Sequence, residues 1–166
     1  MFSPEIFRKL KRGPQVVTLK DCALVSAFTG LQSGDTVIDA GTGSGFLAIY
    51  LASIIAPSGR VFSYEWRDDF VELAKKNISL AGLNNIEVKW KDVFDGIEEQ
   101  NVDLIALDLA NAEKALPHAK NALKKNGFIV GFLPNVEQVK SFVQVGEELG
   151  LRHEQTIESI VRQLLL

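Results

Sequence analysis

Three glycines at alternate positions join a predicted strand to a predicted helix, in a pattern suited to ligand binding. Gly41, Gly43 and Gly45 follow a short apolar strand and precede an almost unbroken apolar run, residues 46–56. Glycines at such a turn let the chain reverse sharply and let a ligand approach the backbone. A dinucleotide-binding loop would need a further glycine at position 46, where Phe46 stands. The loop therefore favours a ligand other than a dinucleotide.

The acidic residue Asp39 stands immediately before the glycine loop and indicates the charge that the ligand carries. A carboxylate there would repel a pyrophosphate but attract a ligand with an ammonium and a sulfonium, such as S-adenosylmethionine. We therefore interpret the segment as a methyl-donor site. An ordinary glycine-rich turn that binds nothing is the alternative. The loop residues expected to contact the donor are Gly41, Thr42, Gly43, Ser44 and Gly45.

Strands and helices are predicted to alternate along the chain, which indicates a doubly wound α/β fold with a mostly parallel sheet. The predicted strands are residues 36–39, 60–66, 86–90, 102–109, 128–133 and 155–162. The predicted helices are residues 21–30, 46–56, 67–81, 112–125 and 135–149. We divide the chain into a lead-in segment, residues 1–20, and one α/β domain, residues 21–166.

An acidic residue lies at or next to the end of each of the first four predicted strands: Asp39, Glu65, Asp92 and Asp108. Ligands of open α/β sheets bind beyond the carboxyl ends of the strands, so these carboxylates should meet at one edge. We assign Glu65 to the ribose hydroxyls, Asp92 to the adenine amino group and Asp108 to the position where the methyl group emerges. Each acid has an alternative as a helix cap or turn residue. We also assign Trp66 and Val93, which follow Glu65 and Asp92, to the cofactor site.

Length and composition indicate one globular domain and exclude several classes of protein. The 166 residues, 46% of them apolar, are enough for one core. The apolar run 46–56 is too short to span a bilayer, and residues 1–10 lack the apolar segment of a signal peptide. The single cysteine, Cys22, and two scattered histidines have no metal-ligand spacing. We therefore expect a cytoplasmic protein that has neither a membrane anchor nor a metal.

A basic cluster near the N-terminus contrasts with the overall net charge of −3. The cluster consists of Arg8, Lys9, Lys11, Arg12 and Lys20. The acidic balance does not itself indicate nucleic-acid binding. The cluster is therefore either a solvated face or a contact for RNA.

The strand order, glycine loop and strand-end acids resemble the class I methyltransferases, which have a Rossmann-like fold and use S-adenosylmethionine. The segment Arg12-Gly-Pro-Gln15-Val-Val-Thr-Leu-Lys20-Asp21 resembles the one that folds over the cofactor in the tRNA adenine-58 N1-methyltransferases. Residues 40–45, 63–70 and 132–139 are also similar to that family. The resemblance implies tRNA as substrate, Gln15 and Asp21 over the methionine end of the cofactor, and Asp108 as the catalytic residue.

The chain departs from this family at three places. The family usually continues its catalytic aspartate as Asp-x-Pro-x-Pro-Trp, whereas this chain reads Asp108-Leu-Ala-Asn-Ala-Glu113. The family's N-terminal β-rich domain and its seventh strand are not expected within these 166 residues. A sheet without that strand leaves an unpaired edge, and the end Leu164-Leu165-Leu166 is apolar. We therefore expect a homo-oligomer.

Three functional hypotheses remain at this stage. The first is methylation of N1 of adenine in tRNA, in which Asp108 stabilises positive charge on the ring and accepts a proton. The second is a methyltransferase of the same fold that acts on a small molecule such as a corrin precursor. The third is a cofactor-binding but non-catalytic subunit that lends an RNA-binding surface to a partner. For Asp108 itself, the alternative to catalysis is a cap of the helix predicted near Ala112. We expect no catalytic role for His118 or His153.

Overall fold

The computed structural model describes residues 4–162 and Leu164. Five strands make one sheet: β1 (Thr36–Ala40), β2 (Arg60–Glu65), β3 (Ile86–Trp90), β4 (Val102–Leu107) and β5 (Leu123–Gly131). Six α-helices accompany them: α1 (Ile6–Lys9), α2 (Leu19–Thr29), α3 (Phe46–Ile55), α4 (Asp68–Ala81), α5 (Leu116–Ala122) and α6 (Val136–Glu148). Two short 3-10 helices, Val93–Asp95 and Ala112–Ala115, precede β4 and α5.

The strand order in the sheet is β3-β2-β1-β4-β5, and every neighbouring pair is parallel. The central strands β1 and β4 are almost entirely apolar and buried, as strands covered on both faces must be. Asp39 in β1 is in register with Ser63 in β2 and Ala106 in β4. The predicted doubly wound α/β fold is confirmed, and the ends of β1, β2 and β4 lie along one edge.

Helices cover both faces of the sheet because successive strand side chains point to opposite sides. Val37 packs with α2, α3 and α4, whereas its neighbour Ile38 packs with α5 on the other face. The lead-in segment joins the first of these cores, where Phe7 and Leu10 are buried. Within the described part of the chain, no helix has the length and apolar character needed to cross a bilayer.

The predicted sixth strand, residues 155–162, is wrong: these residues have no regular secondary structure. Their alternating pattern alone does not make a strand, since a strand needs a neighbour for its backbone hydrogen bonds. In the described residues, β5 pairs only with β4. Of the apolar chain end, Leu165 and Leu166 lie outside the described residues, and Leu164 is exposed.

The predicted helix over residues 112–125 is also partly wrong. It is divided into a 3-10 helix and α5, and β5 begins at Leu123 rather than at residue 128. Leu123 pairs with Val102, and the register then shifts before Phe128 pairs with Leu104. The irregularity includes Asn126, whose φ is +66°. Pairing with β4 therefore overrides the local helical pattern at this end of α5.

Candidate functional site

The glycine loop between β1 and α3 requires glycine because of a close backbone contact. Gly41 has φ +92°, a conformation that L side chains rarely adopt. A Cβ atom at Gly41 would lie 2.1 Å from the carbonyl oxygen of Asp108. The Asp108 amide also donates to the Ala40 carbonyl at 2.8 Å. The start of the loop and the end of β4 are therefore in direct contact.

Asp39 is buried under this loop, with 1% of its surface exposed. Its Oδ2 accepts a 2.6 Å hydrogen bond from Ser63 Oγ, which lies 2.6 Å from Thr42 Oγ1. Its Oδ1 has no hydrogen-bond partner among the described residues. Sequence reasoning missed Ser63, although parallel pairing of β1 with β2 places it beside Asp39.

The pKa of Asp39 is raised to about 7. Burial is the largest cause, and the nearby charges of Asp108 and Glu65 raise the pKa further, while the Ser63 hydrogen bond lowers it. An ionised Asp39 is therefore costly in this fold when no cation lies beside its free oxygen. A positively charged group at Oδ1 would offset this cost.

We expect Asp39 to make folding less favourable as the pH rises. The folded pKa lies above the unfolded value near 3.8, so the folded chain holds more protons between about pH 4 and pH 7. Stability therefore falls through that window and levels off above it. Between pH 5 and pH 8, the wild type should lose ~2 kcal/mol relative to Asp39→Asn. Urea unfolding of both proteins at the two pH values measures this, and parallel pH profiles would contradict it.

Glu65, at the end of β2, is buried and ties the glycine loop to the turn that follows it. Its Oε2 accepts from the Gly43 amide at 2.9 Å, and its Oε1 accepts from the Arg67 amide at 3.0 Å. A carboxylate has about four acceptor positions, so two remain for a ligand such as a ribose diol. Glu65 therefore lies beside the glycine loop, at the end of β2.

The residues assigned to the adenine end lie farther along the same edge. Asp92 Oδ1 accepts from the Phe94 amide at 3.0 Å and so caps the 3-10 helix, as the alternative interpretation proposed. Its other oxygen stays available to a ligand. Val93 is buried, whereas 66% of Trp66 is exposed. The Trp90 indole donates to the Trp66 carbonyl at 2.9 Å, a contact that sequence reasoning missed.

Asp108 follows β4 and is exposed at the rim of the site. The surrounding protein removes part of its hydration, and this desolvation raises its pKa above the usual value for aspartate. The alternative role as a helix cap is not observed, because Asn111 is the N-cap residue of the 3-10 helix at Ala112. Asp108 is therefore a carboxylate of raised basicity whose side chain is open to an incoming group.

An open groove of about 1980 Å³ begins at Asp108 and Gln15 and continues along β5 and α6. Gln15 is exposed and lines the same groove as Asp108, on the lead-in side. Asp21 is paired with its neighbours, Thr18 Oγ1 at 2.7 Å and Lys20 Nζ at 2.5 Å. The glycine loop and Glu65 do not line this groove, so it marks the space beyond Asp108 rather than the donor site itself.

The donor set at the edge of the sheet fits S-adenosylmethionine. The charges of Glu65 and Asp108 both act on the buried carboxyl group of Asp39, whose Oδ1 has no hydrogen-bond partner among the described residues. Such a set favours a ligand that brings positive charge and hydroxyl donors. In the described residues, no group of three or more His, Cys, Asp or Glu side chains is placed to hold a metal ion.

Comparison with known proteins identifies the family. The model of the family described as tRNA methyltransferase complex GCD14 subunit matches residues 2–165. The tRNA (adenine(57)-N(1)/adenine(58)-N(1))-methyltransferase TrmI of Methanocaldococcus jannaschii is 34% identical over 99% of this chain and 69% of its own length. The tRNA (adenine(58)-N(1))-methyltransferase TrmI of Thermus thermophilus is 33% identical over 93% of this chain. This chain covers only 61% of that second relative.

Solved structures confirm the fold. A SAM-dependent O-methyltransferase from Thermotoga maritima superposes with a TM-score of 0.81 at 31% identity, over 86% of this chain and 54% of that one. The tRNA (m1A58) methyltransferase TrmI of Aquifex aeolicus gives 0.78 at 23% identity, over 86% and 57%. The chain therefore belongs to the family of the tRNA methyltransferase complex GCD14 subunit and has the fold of the S-adenosylmethionine-dependent methyltransferases.

Proposed function

We propose that this chain transfers a methyl group from S-adenosylmethionine to N1 of adenine in tRNA. The main observation concerns Asp108, whose carboxylate is exposed at the end of β4. The backbone of Asp108 contacts Gly41 of the glycine loop, residues 41–45, which we call the donor loop. A proton acceptor and a donor site are thereby held at one edge of the sheet. The names of the two TrmI relatives support adenine in tRNA as the acceptor.

Each residue of the site has a role in this proposal. Asp39 attracts the ammonium end of the cofactor, Glu65 accepts from the ribose hydroxyls, and Gln15 lies across the groove from Asp108. When bound, S-adenosylmethionine supplies a methyl group on a positively charged leaving group, so the protein mainly has to align the reactants. As N1 attacks, Asp108 stabilises the positive charge on the ring and then accepts the proton lost from the amino group.

The exposed basic side chains of the lead-in segment support RNA as the substrate. Arg8, Lys9, Lys11 and Arg12 are all exposed, and Gly13, which follows them, lies against Ser44 of the glycine loop. Phosphate groups are bound by such side chains at positions set by the fold. We infer that this cluster contacts the tRNA backbone near the target base.

The direct test is incubation of the purified chain with labelled S-adenosylmethionine and unmodified bulk tRNA, followed by digestion and nucleoside analysis. Label in 1-methyladenosine would support the proposal. Label in another nucleoside would retain the enzyme class but refute the assigned acceptor. Cofactor binding by calorimetry without any transfer would favour the second candidate, a cofactor-binding subunit that needs a catalytic partner.

The second candidate has one specific observation in its favour. The segment after Asp108 lacks the two prolines and the tryptophan of the family pattern, and Asn111 there has φ +56°. A small-molecule acceptor has weaker support. The neighbours named as precorrin enzymes are 17% and 19% identical to this chain, and this likeness shows the fold alone.

We expect Glu65→Gln to weaken cofactor binding by ~1–3 kcal/mol, because glutamine has one acceptor oxygen, which cannot accept from the Gly43 and Arg67 amides and the ribose hydroxyls together. Calorimetric titration with S-adenosylhomocysteine measures the change. Glu87→Gln is the matched control, since Glu87 is exposed on β3 and makes no contact with the loop. Equal affinities in the two variants would remove Glu65 from the ribose site.

We further propose that the protein forms a homo-oligomer in the cytoplasm. In the described residues one edge of β5 is unpaired, and three apolar residues of the C-terminal segment, Ile157, Ile160 and Val161, are exposed. Cys22 is a buried free thiol, which suits a reducing compartment. Light scattering of the purified chain tests the oligomeric state.

A further inference from the structure

Asn77 is a buried polar residue on α4, with only 3% of its surface exposed. Its side-chain amide makes three hydrogen bonds, all to backbone atoms of other segments. Oδ1 accepts from the Lys11 amide at 3.0 Å. Nδ2 donates to the Lys11 carbonyl at 2.8 Å and to the Ser44 carbonyl at 2.8 Å. Both amide hydrogens and one acceptor position are therefore used in joining the lead-in segment to the donor loop.

The lead-in segment packs closely at this point. A Cβ atom at Gly13 would lie 3.2 Å from Phe70 Cε1 and 3.7 Å from Ser44 Oγ, so the segment rests directly on α4 and the loop. The guanidinium of Arg12 lies 5.8 Å from the centre of the Phe46 ring. Ser44 Oγ is itself buried without a hydrogen-bond partner among the described residues. Asn77 thus provides the directional bonds in an otherwise apolar contact.

We infer that Asn77 is a positioning residue whose three hydrogen bonds hold residues 11–15 against the donor loop, a contact that we call the latch. The latch thereby couples the docking of this segment to cofactor binding. The docked segment carries Gln15 to the rim of the groove that it shares with Asp108. Without the latch, cofactor binding would have to order the segment, and the affinity would fall by that cost. By linkage, bound cofactor must also protect the docked segment. The coupling rests on the proposed function, whereas the latch itself does not.

The experiment compares Asn77→Asp with Asn85→Asp. Asn85 makes the same kind of contact, since its Nδ2 donates to the carbonyls of Ala52 and Gly59 at 2.9 and 3.2 Å. An aspartate at either position removes both donations and places a charge against two carbonyl oxygens. Only the first variant breaks contacts of the lead-in segment. Gly13→Val is a second test that lifts the segment through a steric clash and leaves Asn77 unchanged.

The first readout is limited trypsin digestion of the ligand-free chain, followed at the bonds after Lys11 and Arg12 under conditions where circular dichroism shows a folded protein. Cleavage there requires local opening of the segment. We expect Asn77→Asp and Gly13→Val to be cut at least ~10-fold faster than the wild type, with Asn85→Asp unchanged. Equal rates for Asn77→Asp and Asn85→Asp at matched stability would overturn the latch.

The second readout is the Kd for S-adenosylhomocysteine and its protection of the same two bonds. We expect the Kd to rise by ~10-fold for Asn77→Asp and Gly13→Val but not for Asn85→Asp, and protection to weaken equally. Faster cleavage with an unchanged Kd would overturn the coupling. If the wild type binds no S-adenosylhomocysteine, the proposed function fails, while the cleavage rates still decide the latch.

Discussion

Asp108→Ala is expected to lower the rate of methyl transfer at saturating substrate by ~100-fold or more. The variant removes the carboxylate that we propose stabilises positive charge on the adenine ring, and the alanine side chain cannot accept a proton. The Asp108 side chain is exposed at the rim and caps no helix, so its loss should leave the fold intact. Cofactor affinity should change little, because we assign cofactor binding mainly to the glycine loop and Glu65.

The measurement is single-turnover transfer to tRNA, together with calorimetry for the cofactor. Asp108→Asn keeps the shape of the side chain but removes its charge, and an amide cannot accept a proton at neutral pH. Asp95→Ala is the control, because Asp95 is exposed and lies in the neighbouring 3-10 helix. An unchanged rate in Asp108→Ala would remove this residue from the mechanism. A large loss of cofactor affinity would instead make Asp108 a binding residue.

Gly41→Ala is expected to cost ~2–5 kcal/mol of folding stability and to abolish cofactor binding. Part of the cost is the left-handed backbone, φ +92°, which disfavours a side chain by ~1–2 kcal/mol. The rest comes from the clash of the new methyl group with the Asp108 carbonyl 2.1 Å away, since a packed backbone can move aside only at a cost of ~1–3 kcal/mol. The displacement would pull the end of β4 away from the donor loop.

Gly82→Ala is the control for the backbone part of that cost, and the difference between the two variants gives the steric part. Gly82 has φ +67° at the end of α4, and nothing lies within 4 Å of the position that its Cβ would take. Only the backbone cost applies there, so we expect a loss of ~1 kcal/mol and an unchanged affinity for S-adenosylhomocysteine. Urea denaturation of both variants gives the comparison. Similar losses in the two would show that the contact between Gly41 and Asp108 relaxes easily.

The sequence predicted β1 and β4 from their buried apolar residues and β2 from an alternating pattern. Asp39, Glu65 and Asp108 interrupt that pattern where the strands end, and parallel pairing then places them at one edge. The same reasoning was wrong for residues 155–162, whose alternation is real. An alternating pattern forms a strand only where a neighbouring strand accepts and donates its backbone hydrogen bonds. The local sequence does not show which strand that neighbour is.

By itself, the sequence determined the α/β fold, the donor loop and the acids around it, because apolar periodicity and glycine placement act locally. The tertiary structure alone decided how these residues are tuned. The pKa of Asp39 is raised because its carboxyl group is buried and because Asp108 and Glu65, distant in sequence, lie nearby. Asn77 reaches Ser44 across 33 residues and Lys11 across 66. Such contacts depend on packing between elements, where distance and burial rather than residue type determine the energy.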